Sequence, residues 1–234
     1  MNATTNPLYK TDLELFALFR TELFTSVVGD VMDKAGFYHQ ILPPYLRPLR
    51  EDMVLIGRAM TVLEADCFAE RMGGPGLLSN KPFGLMFEAL DDLKSGEVYV
   101  AAGASHRYAL WGELMSTRAL KLGAAGALVD GYSRDTAGVL SLNFPTFSKG
   151  PYCQDQGARG KVIDWRVPVE IGGVLVEPGC IVFGDRDGVL VIPKAHEEAI
   201  VSAALEKARG EKLVAKAIRE GMSAVDAYAR FGIM

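Results

Sequence analysis

Three charged side chains in the middle of the chain are the residues best suited to chemistry. Glu113 is followed, after twenty intervening residues, by the adjacent pair Arg134 and Asp135. Acidic and basic side chains that meet beside a bound molecule can bind it and move protons. Whether these three meet depends on the elements that carry them.

A strand, a helix and a second strand are predicted around these residues. Glu97 to Ala102 and Ala125 to Val129 are β-rich runs, and Leu110 to Leu122 has a helical pattern that ends at Gly123. A right-handed crossover between parallel strands places the loops after both strands at one sheet edge, where open α/β sheets bind ligands. We therefore expect the three charged side chains to converge.

The start of the predicted helix supplies further groups for binding. Gly112, Glu113, Leu114 and Met115 open the helix, and the backbone N–H groups of a first helical turn have no partner within the helix. Such groups attract anions. The sequence therefore predicts that they bind a carboxylate.

Each charged residue also has a purely structural interpretation. Arg134 and Asp135 would suit a solvated turn in which Asp135 caps the next helix. Glu113 would suit a helix as a favourable acid of its first turn. Pattern alone leaves both interpretations open.

The rest of the chain alternates helical and β-rich segments. A loop is predicted for Arg71 to Gly84, which is rich in Gly and Pro and would suit an ordinary surface loop or a lid over a substrate. Further helices are expected at 11–23, 26–34, 85–93 and from 194 onward with a last short helix after Ser223, and β segments at 54–63 (broken by Gly57), 144–148, 161–171, 174–176, 180–184 and 188–193.

Length and composition restrict the class of protein. The 234 residues fit one large domain, and 49% hydrophobic with 23% charged residues indicates a globular chain. A net charge of -4 argues against nucleic acid, and no apolar run approaches the ~18 residues of a membrane helix, so a cytoplasmic protein is expected. Cys67, Cys153 and Cys180 are predicted to be reduced, packed thiols.

The class II pyruvate aldolase family has a signature that consists of an acidic residue, twenty further residues and then Arg-Asp. This signature is similar to the segment ALWGELMSTRALKLGAAGALVDGYSRD. That family includes 4-hydroxy-4-methyl-2-oxoglutarate/4-carboxy-4-hydroxy-2-oxoadipate aldolases and the regulator of ribonuclease activity A. Family members often carry Asp where this chain has Glu113. Four further segments resemble the family, so that the likeness extends over 25–193: Val27 to Asp33, Gly57-Arg58-Ala59-Met60-Thr61, Phe144-Pro145-Thr146-Phe147, and Asp185 to Pro193.

The resemblance implies a fold and an assembly. The expected fold is α/β, a swivelling β/β/α single domain with N-terminal helices and a C-terminal helical tail. Residues 1–193 would form the aldolase-like domain and residues 194–234 the helical extension. The resemblance also implies a homotrimer or homohexamer with sites at subunit interfaces.

The resemblance further implies the chemistry. The expected substrate is a small 4-hydroxy-2-oxo acid, cleaved to pyruvate, with oxaloacetate decarboxylation as a side reaction. Asp135 would bind Mg²⁺ or Mn²⁺ directly, with Glu113 as the acid that organises bound water, because such hard ions prefer oxygen ligands. Arg134 would face the keto oxygen, and the backbone of Gly112, Leu114 and Met115 would bind the substrate carboxylate.

Additional residues are predicted to assist. The resemblance assigns proton transfer to acids of an adjoining subunit, which points to Asp30, and spacing in the tail suggests Glu211. Each would equally suit a solvated helix surface, where charged side chains usually serve solubility. His106 and Arg107 precede the helix near the same edge, where they would touch the distal end of the substrate or form an ordinary solvated pair.

Two rival functions follow from similar sequences. The first is a protein-binding regulator of a ribonuclease, which shares part of the signature; the long helical tail favours the enzyme instead. The second is a menaquinone methyltransferase, but no Gly-rich cofactor-binding loop follows a strand here.

Overall fold

The computed structural model describes residues 8–67, 78 and 80–233. In the described part the helices are α1 (Asp12–Glu22), α2 (Thr25–Lys34), α3 (Met86–Asp91), α4 (Glu113–Leu122), α5 (Thr136–Ser141), α6 (Glu197–Arg219) and α7 (Ala224–Phe231). The strands there are β1 (Arg47–Pro48), β2 (Leu55–Asp66), β3 (Glu97–Ala102), β4 (Ala109–Trp111), β5 (Gly126–Val129), β6 (Tyr132–Ser133), β7 (Thr146–Ser148), β8 (Gly160–Trp165), β9 (Val169–Ile171), β10 (Val174–Val176), β11 (Ile181–Gly184) and β12 (Val189–Ile192).

The described residues fall into two units. Residues 8–38 and 195–233 form a helical unit, and residues 39–194 form the sheet-containing unit. In the helical unit α6 packs against α1, α2 and α7. The predicted caps are present, since Thr11 accepts a hydrogen bond from the Glu14 N–H and Ser223 accepts one from the Asp226 N–H. The division at residue 193 into a domain and an extension stays a prediction.

The larger unit is built on a mixed sheet. Its described strands follow the order β1-β7-β5-β3-β2-β11-β12, with β8 also paired to β2. Strands β2, β3, β5 and β7 are parallel neighbours, whereas β1, β8, β11 and β12 pair antiparallel. The parallel β3–α4–β5 crossover predicted from the sequence is confirmed. The carboxyl ends of β3 and β5 therefore lie at the same edge.

The expected break at Gly57 is wrong. Strand β2 runs through this residue without interruption and continues to Asp66. Gly57 serves close packing, because a Cβ here would stand 2.5 Å from the carbonyl oxygen of Gly96. A β-rich run that contains glycine can therefore remain one strand where a neighbouring backbone approaches closely.

Two hydrophobic clusters cover the two faces of the sheet. Successive side chains of a strand point to opposite faces, so Val98 and Val100 join one cluster while Tyr99 and Ala101 join the other. The second cluster also contains apolar side chains of α3 and α4 together with Trp111. Helices α3 and α4, which contact each other, are thereby fixed beside the edge where β3 and β5 end.

Two short strands that the sequence pattern does not predict, β4 and β6, extend that edge. Strand β4 pairs in parallel with β6 as a separate two-stranded sheet. Residues 110 and 111, expected in the helix, belong to β4, and α4 begins at Glu113. The short apolar run before Gly112 is compatible with a helix or a strand by its pattern alone. It forms a strand because it pairs with β6.

In the described part of the chain, no helix is long and apolar enough to cross a membrane.

Candidate active site

The β4–β6 pairing places the two parts of the predicted signature side by side. The Arg134 N–H donates to the Trp111 carbonyl oxygen over 2.9 Å. Since Gly112 follows Trp111 and Asp135 follows Arg134, the start of α4 and the start of α5 lie next to each other. The gathering of Gly112, Arg134 and Asp135 is thus a consequence of backbone pairing.

Arg134 is held between two carboxylates. Its Nη1 lies 2.8 Å from the Asp155 Oδ1, and its Nε lies 3.6 Å from the Asp135 Oδ2. The Arg134 side chain is 39% exposed, so it remains accessible to a ligand. Asp155 is not predictable from the sequence, because it lies in an irregular segment after β7, where no periodicity indicates which way a side chain faces.

Asp135 does not cap the helix that it precedes. It occupies the N-cap position of α5, yet its side chain makes no capping hydrogen bond. Its φ of 54° is left-handed, a conformation that Asp tolerates better than most residues. The Oδ2 of Asp135 lies close to Gly112, where a Cβ would stand 2.8 Å from it. The capping interpretation is therefore wrong, and the carboxylate is available for another role.

Glu113 has different surroundings. Its carboxyl group packs against Gly138 of α5, and a Cβ at residue 138 would collide with it. Glu113 is exposed and does not line the cavity beside Arg134. It is the acid of the first turn of α4, as the structural interpretation expects. Its role toward a metal ion stays a prediction.

The N-terminus of α4 is open to a ligand. Gly112 is the N-cap and has no side chain to cap the first turn. The N–H groups of Glu113, Leu114 and Met115 belong to that turn, which cannot satisfy them internally. These donors lie at the same end of the structure as Arg134 and Asp135.

A cavity of about 370 Å³ opens at this place. The predicted residues that line it are Gly112, Leu114, Met115, Arg134 and Asp135. This volume lies within the range of small-molecule sites. Arg134 and Asp135 bring charged side chains to the cavity, whereas Gly112, Leu114 and Met115 belong to the open end of α4.

The donor set near Arg134 fits a hard cation with few protein ligands. Among the described residues, no three His, Cys, Asp or Glu side chains converge as a metal-binding group. The Asp135 carboxylate nevertheless makes no capping hydrogen bond. Mg²⁺ commonly keeps several water ligands beside one or two carboxylates, so this single carboxylate is enough to hold it. A cation here would be held by Asp135, with water and ligand oxygens in its remaining positions.

The two acids predicted for proton transfer both lie in the helical unit, where they share one lysine. Lys207 Nζ lies 2.6 Å from the Asp30 Oδ2 and 2.7 Å from the Glu211 Oε1. Burial lowers the pKa of Lys207, but these two hydrogen bonds outweigh it and raise the pKa. Asp30 and Glu211 are thus linked through a single ammonium group, and their roles stay predictions.

His106 and Arg107 belong to other clusters at the sheet edge. His106 lies between Lys149, whose Nζ is 2.8 Å from its Nδ1, and Asp130, whose Oδ1 is 3.1 Å from its Nε2. Arg107 pairs with Asp66 at 2.8 Å. Neither His106 nor Arg107 lines the cavity. The hydrogen bonds of Asp130 instead fasten the loop that leads to Arg134.

A buried acid beside the cavity was also missed. Glu64 of β2 accepts hydrogen bonds from the Gln156 Nε2 at 3.0 Å on both carboxyl oxygens, and Gln156 lines the cavity. Burial raises the pKa of Glu64 to about 8, although the Gln156 amide partly opposes this rise. The sequence signal that could have indicated a buried acid is the position of Glu64 within the apolar run of β2.

Two remaining predictions have mixed outcomes. The cysteines are free, and burial raises the pKa of Cys180 to about 11, but Cys153 is exposed, so the expectation of three packed thiols is wrong for Cys153. The lid predicted for 71–84 falls largely outside the described residues.

Comparison with known proteins identifies similar chains. A family model described as RraA-like, Aldolase/RraA, matches residues 25–191. A protein of Halalkalibacterium halodurans named "Putative 4-hydroxy-4-methyl-2-oxoglutarate aldolase" is 32% identical over 219 residues, which cover 93% of this chain and 94% of the relative.

Solved structures support the fold. An uncharacterized protein from Pseudomonas syringae pv. tomato matches with a TM-score of 0.77 at 24% identity, over 95% of this chain and 99% of that one. A Streptomyces coelicolor protein matches with a TM-score of 0.72 at 24% identity, over 88% of this chain and 98% of that one. It is described as an unusual member of the RNase ES inhibitor RraA protein family. At this identity the likeness concerns the fold alone, and it confirms the predicted α/β fold class.

Proposed function

The chain belongs to the RraA-like family (Aldolase/RraA), and from this premise we propose that it is a divalent-metal-dependent aldolase. The proposed reaction is the cleavage of a 4-hydroxy-2-oxo acid to pyruvate and a carbonyl compound. The observation that carries the proposal is the meeting of Arg134, Asp135 and the open N-terminus of α4 at one end of a cavity.

The open helix end would bind the substrate's carboxylate. The N–H groups of Leu114 and Met115 would donate to it, because an anion at a helix N-terminus gains hydrogen bonds and a favourable dipole. Gly112 supports this role, since the missing side chain leaves the approach to these donors open. The 2-oxo acid end of the substrate would thereby be oriented toward Arg134 and Asp135.

Asp135 would hold the Mg²⁺ or Mn²⁺ ion, and Glu113 would organise water around it. When bound, the ion would act as a Lewis acid that polarises the keto group and offsets the negative charge formed during cleavage. The oxygen ligands present suit such hard ions.

Arg134 would stabilise the product of bond cleavage. Breaking the C3–C4 bond leaves its electron pair on the pyruvate fragment as an enolate, whose negative charge resides largely on the former keto oxygen. A fixed guanidinium directed at that oxygen favours the enolate more than it favours the neutral ketone. Asp155 supports this role by holding the guanidinium at 2.8 Å in one orientation.

Protons would move through acids supplied by the assembly. The substrate's C4 hydroxyl must lose a proton as C4 becomes a carbonyl, and C3 of the enolate must gain one. We assign these transfers to Asp30 of a neighbouring subunit acting through water, with Glu211 as its companion on Lys207. A homotrimer or homohexamer would bring these acids to the site.

The same enolate would form by loss of CO₂ from oxaloacetate. Oxaloacetate decarboxylation is therefore expected as a side activity, and it offers a second test of the same residues. A function in which the chain only binds a ribonuclease would need neither reaction.

A coupled assay of pyruvate release tests the proposal. The purified chain would be supplied with a panel of 4-hydroxy-2-oxo acids and oxaloacetate, with added Mg²⁺ or Mn²⁺ and, in parallel, after treatment with a chelator. Release of pyruvate that requires the metal ion supports the aldolase. No release from any substrate, together with inhibition of a ribonuclease, would instead support the regulator.

A further inference from the structure

The cavity beside Arg134 has two chemically different regions. One region contains the helix end, Arg134 and Asp135, which the proposed function uses for the 2-oxo acid. The other region extends between α3 and α4 and would receive whatever substituent the substrate carries at C4. The side chains of this second region therefore indicate the class of substrate.

The second region is walled by apolar side chains. The residues concerned are Phe83, Met86, Phe87, Leu90, Leu114 and Met115. Phe83 and Phe87 contact each other edge to face, with ring centroids 5.6 Å apart. Phe87 is 57% exposed although it is a large apolar side chain, so its ring surface is open to a ligand. Apolar surface of this kind gains free energy when an apolar group covers it.

Among the described residues that line the cavity, each positively charged side chain already has an acidic partner. Two arginines and three aspartates line the described cavity: Arg118, Arg134, Asp91, Asp135 and Asp155. Arg118 Nε lies 2.7 Å from the Asp91 Oδ1, so its charge is already balanced. Arg134 is balanced by Asp155 and serves the keto acid. Away from the proposed ion, a second carboxylate in the region between α3 and α4 would meet Asp91 and an Arg118 that is already paired.

Gln156, an uncharged polar side chain among the described residues of the lining, is also occupied. The Gln156 amide nitrogen donates to both oxygens of Glu64 at 3.0 Å, which directs these N–H groups away from a ligand. A hydrogen-bonding substituent at C4 would thus lose water without gaining a matching donor here. Such a loss discriminates against polar ligands.

We propose that the substrate carries an apolar substituent at C4, alkyl or aryl, and that the chain discriminates against a carboxylate at that position. This inference rests on the proposed aldolase function. In the reaction the C4 hydroxyl loses its proton, the C3–C4 bond breaks with its electron pair passing to the pyruvate enolate, and C3 then takes up one proton. The products are pyruvate and an apolar aldehyde or ketone.

The proposal separates this chain from the activity in its relative's name. 4-Hydroxy-4-methyl-2-oxoglutarate carries a carboxylate directly on C4. The Halalkalibacterium relative is named for that substrate, whereas the wall between α3 and α4 favours a ligand without the second charge. Family membership and substrate class are therefore separate questions for this chain.

Two apolar substrates and one diacid test the inference. Pyruvate release would be followed with 4-hydroxy-2-oxohexanoate, 4-hydroxy-2-oxo-4-phenylbutanoate and 4-hydroxy-4-methyl-2-oxoglutarate, all with Mg²⁺. We expect kcat/KM for the better apolar substrate to exceed that for the diacid by about tenfold or more, which a pocket of this kind can provide. Equal or faster cleavage of the diacid overturns the inference alone. If neither these three compounds nor oxaloacetate, tested in parallel, releases pyruvate, the aldolase proposal is overturned and this inference with it.

Two variants and one control locate the effect in the wall. Phe87→Ser should raise KM for the apolar substrates by about threefold to tenfold with little change in kcat, because it removes binding surface only. Asp91→Asn leaves Arg118 without its carboxylate, so cleavage of the diacid should improve by about threefold. Leu120→Ser, at an exposed apolar residue of α4 that does not line the cavity, should behave as the unaltered chain. If the ratio of kcat/KM for the apolar substrates to kcat/KM for the diacid is unchanged in both variants, the assignment of the wall is contradicted.

Discussion

Arg134 and Asp155 form a salt bridge of 2.8 Å at the polar end of the cavity, although they come from different loops. Arg134 follows β6, and Asp155 lies in the irregular segment between β7 and β8. The pair fixes one end of a guanidinium that is otherwise accessible. Asp155 is thus a positioning residue for Arg134.

Asp155→Asn should lower kcat for pyruvate release by roughly tenfold, because a guanidinium that loses its anchor no longer points reliably at the developing negative charge. Stability should change little, since an exposed salt bridge contributes about 0–1 kcal/mol. Steady-state kinetics and a thermal melt check both expectations. Asp164→Asn, at an exposed acid outside the cavity, is the control. A kcat equal to that of the unaltered chain would remove Asp155 from the site.

Asp135→Asn should abolish metal-dependent turnover and weaken Mn²⁺ binding by at least about tenfold, because an amide oxygen is a weaker ligand for a hard cation than a carboxylate. Asn is preferable to Ala here, since it tolerates the left-handed backbone at φ 54°. Mn²⁺ binding can be measured by titration calorimetry without any substrate. Asp33→Asn on α2 is the matched control. Retained Mn²⁺ affinity would show that the ion binds elsewhere.

Gly112→Ala should reduce activity by roughly tenfold while leaving the fold intact, because it displaces a carboxylate that must be held within a narrow tolerance. The new Cβ would stand 2.8 Å from the Asp135 Oδ2, so that this side chain must move. The backbone at residue 112 is extended, with φ of -161°, and accepts any residue. Kinetics and a thermal melt of this variant would be compared with Gly188→Ala, where a Cβ meets nothing within 4 Å. Normal activity in Gly112→Ala would contradict the placement of Asp135.

Glu64 should make stability depend on pH. Burial raises its pKa from 4.5 to about 8 in the folded chain. Between these values the unfolded chain has lost the proton and the folded chain keeps it, so the stabilisation present below pH 4.5 is lost as pH rises toward 8. In Glu64→Gln the melting temperature should therefore fall less between pH 5 and pH 8 than in the unaltered chain. Glu170→Gln, an exposed acid of β9, should follow the unaltered chain, and parallel curves for all three would contradict a buried, protonated Glu64.

The sequence by itself determined the local elements of the site. Alternation and helical periodicity predicted β3, α4 and β5, and the rule that parallel strands end at one edge predicted that the loops carrying Glu113 and the Arg134-Asp135 pair lie at the same edge. Arg134 and Asp135 line the cavity at that edge, whereas Glu113 does not. The sequence could predict the common edge because these signals act within single elements or follow from connection geometry. The spacing of twenty residues between Glu113 and the Arg134-Asp135 pair, together with the order of the other matching segments, indicated the family.

The tertiary structure alone decided what surrounds those residues. Asp155, the Glu64–Gln156 contact and the apolar wall between α3 and α4 join parts of the chain that are far apart in sequence, and no periodicity relates them. Pairing of β4 with β6 changed residues 110 and 111 from helix to strand, and the Glu113 carboxyl group packs against Gly138 of α5. Local pattern fixes which face of an element is apolar, but which distant side chain meets it depends on how the elements pack against one another.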